Sequence, residues 1–211
     1  MLKVDCLSVG PLQSNCYILH NDCNLAVIID PGDDFNKIDN HVVRNNYSVE
    51  AIIFTHGHFD HIAAGELLFD KYLCKVYVHA DDAQMLSDSY LNLSSRMSID
   101  DIVFDKVFTS VVEESISLLG FDFSFIHTPG HTPGSMCIMC DGMLFTGDTL
   151  FRLSVGNSFA PYGDMNKEIK SISDKLYVLP DMVCYPGHGE RTTIEYEKKY
   201  NPYTKQGEMW I

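Results

Sequence analysis

Four short motifs bearing histidine and aspartate each stand directly behind a strand-like run. That order constrains the fold of this 211-residue chain more than any other feature. Thr55-His56-Gly57-His58-Phe59-Asp60-His61 follows Ile52-Ile53-Phe54, and Pro129-Gly130-His131-Thr132-Pro133-Gly134 follows Phe125-Ile126. Thr146-Gly147-Asp148-Thr149 follows Leu144-Phe145, and Pro186-Gly187-His188-Gly189 follows Val183-Cys184-Tyr185. Residues just past strand ends can converge on one rim, where a rigid scaffold positions the loops that carry chemistry.

The wider pattern alternates strands and helices. Short runs rich in β-branched and aromatic residues predict strands over 3–9, 16–20, 25–30, 51–55, 75–79, 123–127, 135–140, 143–146 and 182–185. Helical spacing of apolar residues predicts helices over 34–46, 62–73, 81–86, 166–179 and 193–200, with Pro180 closing the fourth. Strands in two batches, each with helices, predict two sheets packed face to face with helices outside. No linker or repeat divides the chain, so residues 1–211 are read as one domain.

Hydrophobic residues make up 45% and charged residues 21%, the balance of a soluble globular protein. No run approaches the roughly 18 apolar residues of a membrane helix, and the start, Met1-Leu2-Lys3-Val4-Asp5-Cys6, has no secretory pattern. A formal charge of −14 disfavours phosphate backbones, and hence a nuclease. Seven scattered cysteines without an export signal fit reduced thiols in a cytoplasmic protein. Cys137-Ile138-Met139-Cys140 sits in a strand-like run, with no second such pair to complete a zinc site, and is read as core.

The motifs supply His56, His58, Asp60, His61, His131, Asp148 and His188. Seven ligand-type residues exceed one catalytic zinc, which takes three protein ligands and keeps a position open. Two metals side by side, as in metal-assisted hydrolysis, account for the count. His56 and His58 are two apart, so on a helix they would diverge by roughly 200°; on a strand end or loop they can point the same way. One partition gives metal one to His56, His58 and His131, and metal two to Asp60, His61 and His188, with Asp148 bridging. Water or hydroxide is the second bridge and the nucleophile, since metal binding lowers the pKa of water from 15.7 towards about 7; Asp60 is the candidate to orient it. His20, His41, His79 and His127 are assigned no metal, although His127 could support a ligand from behind.

Thr-His-x-His-x-Asp-His, Thr-Pro-Gly-His-Thr-Pro-Gly-Ser, Thr-Gly-Asp-Thr-Leu-Phe and Pro-Gly-His-Gly together resemble the metallo-β-lactamase superfamily, and more narrowly its short glyoxalase II-like hydrolases. The resemblance runs from Asn15-Cys16-Tyr17-Ile18-Leu19 and Ile29-Asp30-Pro31-Gly32 to about Tyr203. It implies a four-layer αββα sandwich with the metals at the sheet rim, and it carries ligation onto the same seven residues. Asp30 matches a family aspartate near the site and is a candidate to hold a ligand in place.

Two departures concern the substrate. Only residues 189–211 follow the last histidine, where full-length glyoxalase II proteins continue into a helical glutathione-binding region. Relatives usually read Gly-Arg-Ser or Gly-Arg-Thr and then Asp where this chain has Gly156-Asn157-Ser158-Phe159. An Arg clamps an anionic group in a bidentate way that Asn cannot, and Arg152 is the nearby substitute.

The leading expectation is a dinuclear hydrolase cleaving S-acyl thiols such as S-lactoylglutathione, with zinc first and iron or manganese as alternatives. The partner is a small-molecule thioester, with neither nucleic acid nor membrane. Arg96, Tyr162 and Lys167 are candidates to line the pocket. The runner-up is a mononuclear iron persulfide dioxygenase of the same superfold, and a non-catalytic metal-binding module is the third reading. A β-lactamase fits less well, because it usually needs export and the common zinc class places Arg where His61 stands.

Overall fold

A computed structural model describes residues 1–97, 101–158 and 162–205. The first six-stranded sheet has the spatial order β1 (Lys3–Val9), β2 (Ser14–His20), β3 (Leu25–Ile29), β4 (Ser48–Ile53), β5 (Lys75–His79), β6 (Thr109–Val111). Its first two pairings are antiparallel, and the other three, from β3 to β6, are parallel. The second sheet contains β7 (Ser115–Leu118), β8 (Phe121–His127), β9 (Met136–Cys140), β10 (Met143–Gly147), β13 (Val183–Pro186) and β14 (Thr192–Thr193). Here β10 pairs β13 in parallel and the other neighbours are antiparallel. A small ribbon of β11 (Leu150–Phe151) and β12 (Ser154–Val155) follows β10.

The two-residue period of a strand sends successive side chains to opposite faces, and both faces here are apolar. Tyr17, Leu19, Val27, Ile29 and Ile53 from one sheet meet Phe123, Phe125, Ile138, Phe145 and Tyr185 from the other. The alternate residues Cys16, Ile18, Ala26, Ile28 and Ile52 face outward, against Ile38 and Val42 of α1 (Phe35–Arg44) and Leu68 of α3 (Gly65–Tyr72). On the far side, Cys137, Leu144 and Cys184 pack against Ile172 and Leu176 and against Ile194 of α6 (Ile194–Tyr200). Fully burying each of the Val, Leu, Ile and Phe side chains among these contributes about 1.5–3 kcal/mol. The result is the four-layer αββα sandwich. Among the described residues no helix is long and apolar enough to cross a membrane.

Two expected helices are broken. The helix expected over 62–73 begins later, as α3 at Gly65, after the separate short turn α2 (Phe59–Ile62) and a bend at Ala63 and Ala64. The span 166–179 begins as α5 (Met165–Ser171), capped by Asp164 accepting from Lys167 N, and loosens to a π turn over Ile172–Leu176. The π turn leaves both Ile172 and Leu176 buried against the sheet. The short helix expected at 81–86 is a 3₁₀ turn, Ala80–Asp82, leading into α4 (Ala83–Ser87). Cys137 and Cys140 lie three apart on β9 and face opposite sides of the sheet, Cys137 outward and Cys140 inward. This geometry suits packing and not a dithiol.

Candidate metal centre

Strands β3 and β4 run parallel in one sheet, β8, β10 and β13 run the same way in the other, and the motifs at their ends meet at one rim. Carboxyl-terminal strand ends are where open α/β sheets bind ligands. Each of the four motifs begins there, and Asp30 follows β3 directly.

The seven sequence-predicted residues come together. His56, His58 and His131 form one group whose ligand atoms lie within 4.8 Å of one another; Asp60, His61 and His188 form a second. Asp148 joins His56 and His61 in a third group, and it reaches both sets. Its Oδ1 stands 3.4 Å from His61 Nε2, and its Oδ2 stands 3.6 Å from both His131 Nε2 and His188 Nε2. The His56 ring lies 4.2 Å from that of His61 and 4.8 Å from those of His58 and His131.

Hydrogen bonds on the outer nitrogens aim the inner ones. His61 Nδ1 stands 2.9 Å from Asp30 Oδ2, which turns Nε2 towards Asp60 and Asp148. Asp30 itself accepts from Thr55 N at 2.7 Å and Thr55 Oγ1 at 2.6 Å. Thr55 Oγ1 is then 3.1 Å from His56 Nδ1, placed to accept its N–H. His188 Nδ1 faces the Leu12 carbonyl at 3.2 Å, leaving Nε2 3.2 Å from Asp60 Oδ2. Asn15 ties down the His188 loop, donating from Nδ2 to the carbonyls of Pro186 and Gly189.

The inner atoms fit cations. His56 Nε2, His61 Nε2 and Asp148 Oδ1 are buried and find no hydrogen-bond partner among the described residues. Leaving such a group unsatisfied costs about 1–3 kcal/mol. Burial, reinforced by the neighbouring imidazoles, holds His56 well below the ordinary histidine range, His58 down to about 3 and His131 down to about 4. These three are neutral, the state a metal ligand requires. On the other side burial opposes charge, but Asp60, Asp148 and Asp30 outweigh it and lift His61 to about 10. His61 and His188 likewise outweigh burial at Asp60 and hold it well below the usual carboxylate range. At Asp148 burial prevails and raises the carboxyl.

A further histidine pair belongs elsewhere. His79 and His127 stack with centroids 3.9 Å apart at 17°, and Asp81 Oδ2 lies 3.9 Å from a nitrogen of each. Imidazole lone pairs lie in the ring plane, and two stacked planes do not meet on one ion. His79 Nδ1 already accepts from Asp81 N, and His127 Nε2 lies 2.8 Å from the Pro133 carbonyl. His127 thus braces the loop carrying His131. His20 and His41 gather around Asp5, away from the rim motifs.

Three participants carried no motif. Ser14 Oγ donates to Asp60 Oδ2 at 2.9 Å. Asp82 holds the loops of His58 and His131. Glu168 is fully buried and accepts from Gly156 N and Ser158 Oγ. Burial pushes its carboxyl up to about 9, so it is neutral at pH 7.

Of the pocket candidates, Tyr162 lines a cavity of about 250 Å³ with Met85, Leu91, Pro133, Asp81 and Asp88. Arg96 lies over the Tyr90 ring at 4.0 Å. Lys167 N donates to Asp164 Oδ1 at the start of α5. Arg152 turns to Glu190, and its guanidinium lies 5.8 Å over Tyr196. Asn157 is exposed, with its backbone beside the His131 ring, and Phe159 lies outside the described residues.

The sequence profile of the metallo-beta-lactamase superfamily matches residues 9–188. The chain belongs to that superfamily. Within it, the chain is 31% identical to the hydroxyacylglutathione hydrolase GloC of Haemophilus influenzae, over 96% of this chain and 98% of that one. Among solved structures, BLEG-1, described as a B3 metallo-beta-lactamase, is 37% identical with a TM-score of 0.92, covering 98% of this chain and all (100%) of its own. TTHA1623, solved in a di-iron-bound form, is 32% identical with a TM-score of 0.83, covering 95% and 100%. As a superfamily member, this chain combines the shared fold with histidine and aspartate groups suited to binding metal ions.

Proposed function

We propose that the chain is a dinuclear metal-dependent thioester hydrolase of the glyoxalase II type. The observation that carries this reading is Asp148, whose two oxygens reach one set of imidazoles and the other. His56, His58 and His131 would hold the first ion, Asp60, His61 and His188 the second, and Asp148 both. Divalent ions there lower the pKa of water towards about 7 and polarise a carbonyl.

The chain's own groups do the rest. Asp30 and Thr55 fix the tautomers of His61 and His56. Asp60, held as a carboxylate with Ser14 donating to its Oδ2, would orient the attacking water. A thiol leaving group has a pKa of about 8.5, so the thiolate departs without a strong general acid. The similarity to GloC supports an S-acyl thiol as substrate, and residues 1–211 acting as one domain. The metal is zinc or iron, since the donor set suits both.

Asp148→Ala is expected to abolish hydrolysis of S-lactoylglutathione; full turnover by that variant would refute the mechanism. The panel includes a β-lactam, because the relative BLEG-1 is described as a B3 enzyme. It also includes a persulfide with oxygen-uptake detection. Turnover of the β-lactam alone, or oxygen uptake on one iron per chain, would replace the thioesterase reading.

A further inference from the structure

Asp82 ends a 3₁₀ turn far from the ligand motifs in sequence and is fully buried. Its Oδ2 accepts from Gly57 N at 2.9 Å and from Thr132 Oγ1 at 2.7 Å. Its Oδ1 accepts from Gly134 N at 2.6 Å. Gly57 lies between His56 and His58, and Thr132 follows His131. All three donors therefore belong to the two loops that carry the three-histidine set. Thr132 is fixed further by Ser135, whose Oγ accepts from Thr132 N at 3.0 Å.

Backbone space is reserved for this contact. A Cβ on Gly134 would lie 2.6 Å from Asp82 N and 2.7 Å from its carboxylate. A Cβ on Gly57 would meet Met85, three residues on from Asp82, at 2.6 Å. Both loops thus approach this turn closely only because glycine stands at the contact.

We infer that Asp82 is a positioning residue that sets the mutual placement of His56, His58 and His131 by clamping their two loops, a role that rests on the metal reading above. The other set has its own carboxylate, Asp30, on His61 and Thr55. Asp30 thus braces His61 directly and His56 through Thr55, while Asp82 ties the His56–His58 loop to the His131 loop by a carboxylate. Removing Asp82 takes away the carboxylate that joins the two loops and leaves the Asp30 contacts with His61 and Thr55 in place.

Outer groups that orient ligands typically contribute about 10–100-fold in metal affinity. The test measures zinc affinity by competition with a chromophoric chelator in two backgrounds. His188→Ala leaves the three-histidine set whole, and His131→Ala leaves the other. Adding Asp82→Asn or Asp82→Ala to His188→Ala is expected to weaken zinc binding about 10–100-fold. Adding either to His131→Ala is expected to change little. Metal-free melting and circular dichroism identify any variant that fails to fold; Gly134→Ala, which pushes the loop off Asp82, then carries the same comparison. Unchanged affinity in the His188→Ala background, or equal losses in both, would overturn the assignment. If the unaltered chain binds no zinc or iron, the metal reading fails; if it binds two ions and Asp82 has no effect, only this inference fails.

Discussion

His58 Nδ1 and His131 Nε2 lie 2.9 Å apart, although the two residues are 73 positions apart in sequence. Burial keeps both rings neutral. Two nitrogens converge there with a third, His56 Nε2, that has no partner among the described residues. Ligation by one cation would satisfy all three together. His131→Ala should therefore reduce the rise in melting temperature that zinc gives the unaltered chain, since binding stabilises only as far as affinity allows. It should also cut thioester turnover by about 100-fold or more, the scale of losing a main electrostatic stabiliser. Differential scanning calorimetry with and without zinc reads the first effect, and initial rates read the second.

Gly187 precedes His188, and a Cβ there would lie 2.2 Å from Asp148 Oδ1 and 2.8 Å from His61 Cε1. Gly187→Ala must displace the Asp148 carboxylate or the His188 loop. The expected outcome is weaker metal binding with the metal-free fold retained, read by chelator competition and circular dichroism. Wild-type affinity in this variant would show that the loop gives way without moving Asp148.

Glu168 carries a proton in the folded protein up to about pH 9, because burial disfavours its charge. The unfolded chain loses that proton near the ordinary glutamate value, about 4.3. Between the two, the unfolded state binds fewer protons, so stability falls as pH rises. Glu168→Gln cannot ionise and lacks this slope. In metal-free protein the variant should gain on the unaltered chain by about 1–3 kcal/mol between pH 5 and pH 7, at up to 1.36 kcal/mol per unit. Urea unfolding at the two pH values measures it.

Much of this was legible in the sequence, for physical reasons. The strands at Lys3–Val9 and Lys75–His79 fall where period and composition predict. The histidines and aspartates that meet at the rim were legible because each sits in a short motif behind a strand. The strands β6 and β7, TSV and SISL, are only three and four residues long, too short for the alternation in SISL to stand out. The helix at 62–73 was read as continuous because apolar spacing does not register the turn at Ala63 and Ala64. Asp82 was invisible for another reason: its partners Gly57 and Gly134 are 25 and 52 residues away, joined only by the fold. Glu168 carries no sequence sign of its burial, since its environment is built by Gly156, Ser158 and Gly130.

On the proposed reading, two ions share one cradle through Asp148. Elemental analysis of protein purified without added metal, with zinc titration to saturation, tests it most directly. Near two ions per chain are expected for the unaltered protein, and near one for His188→Ala. Saturation at a single ion in the unaltered protein, or the same stoichiometry in both proteins, would contradict it.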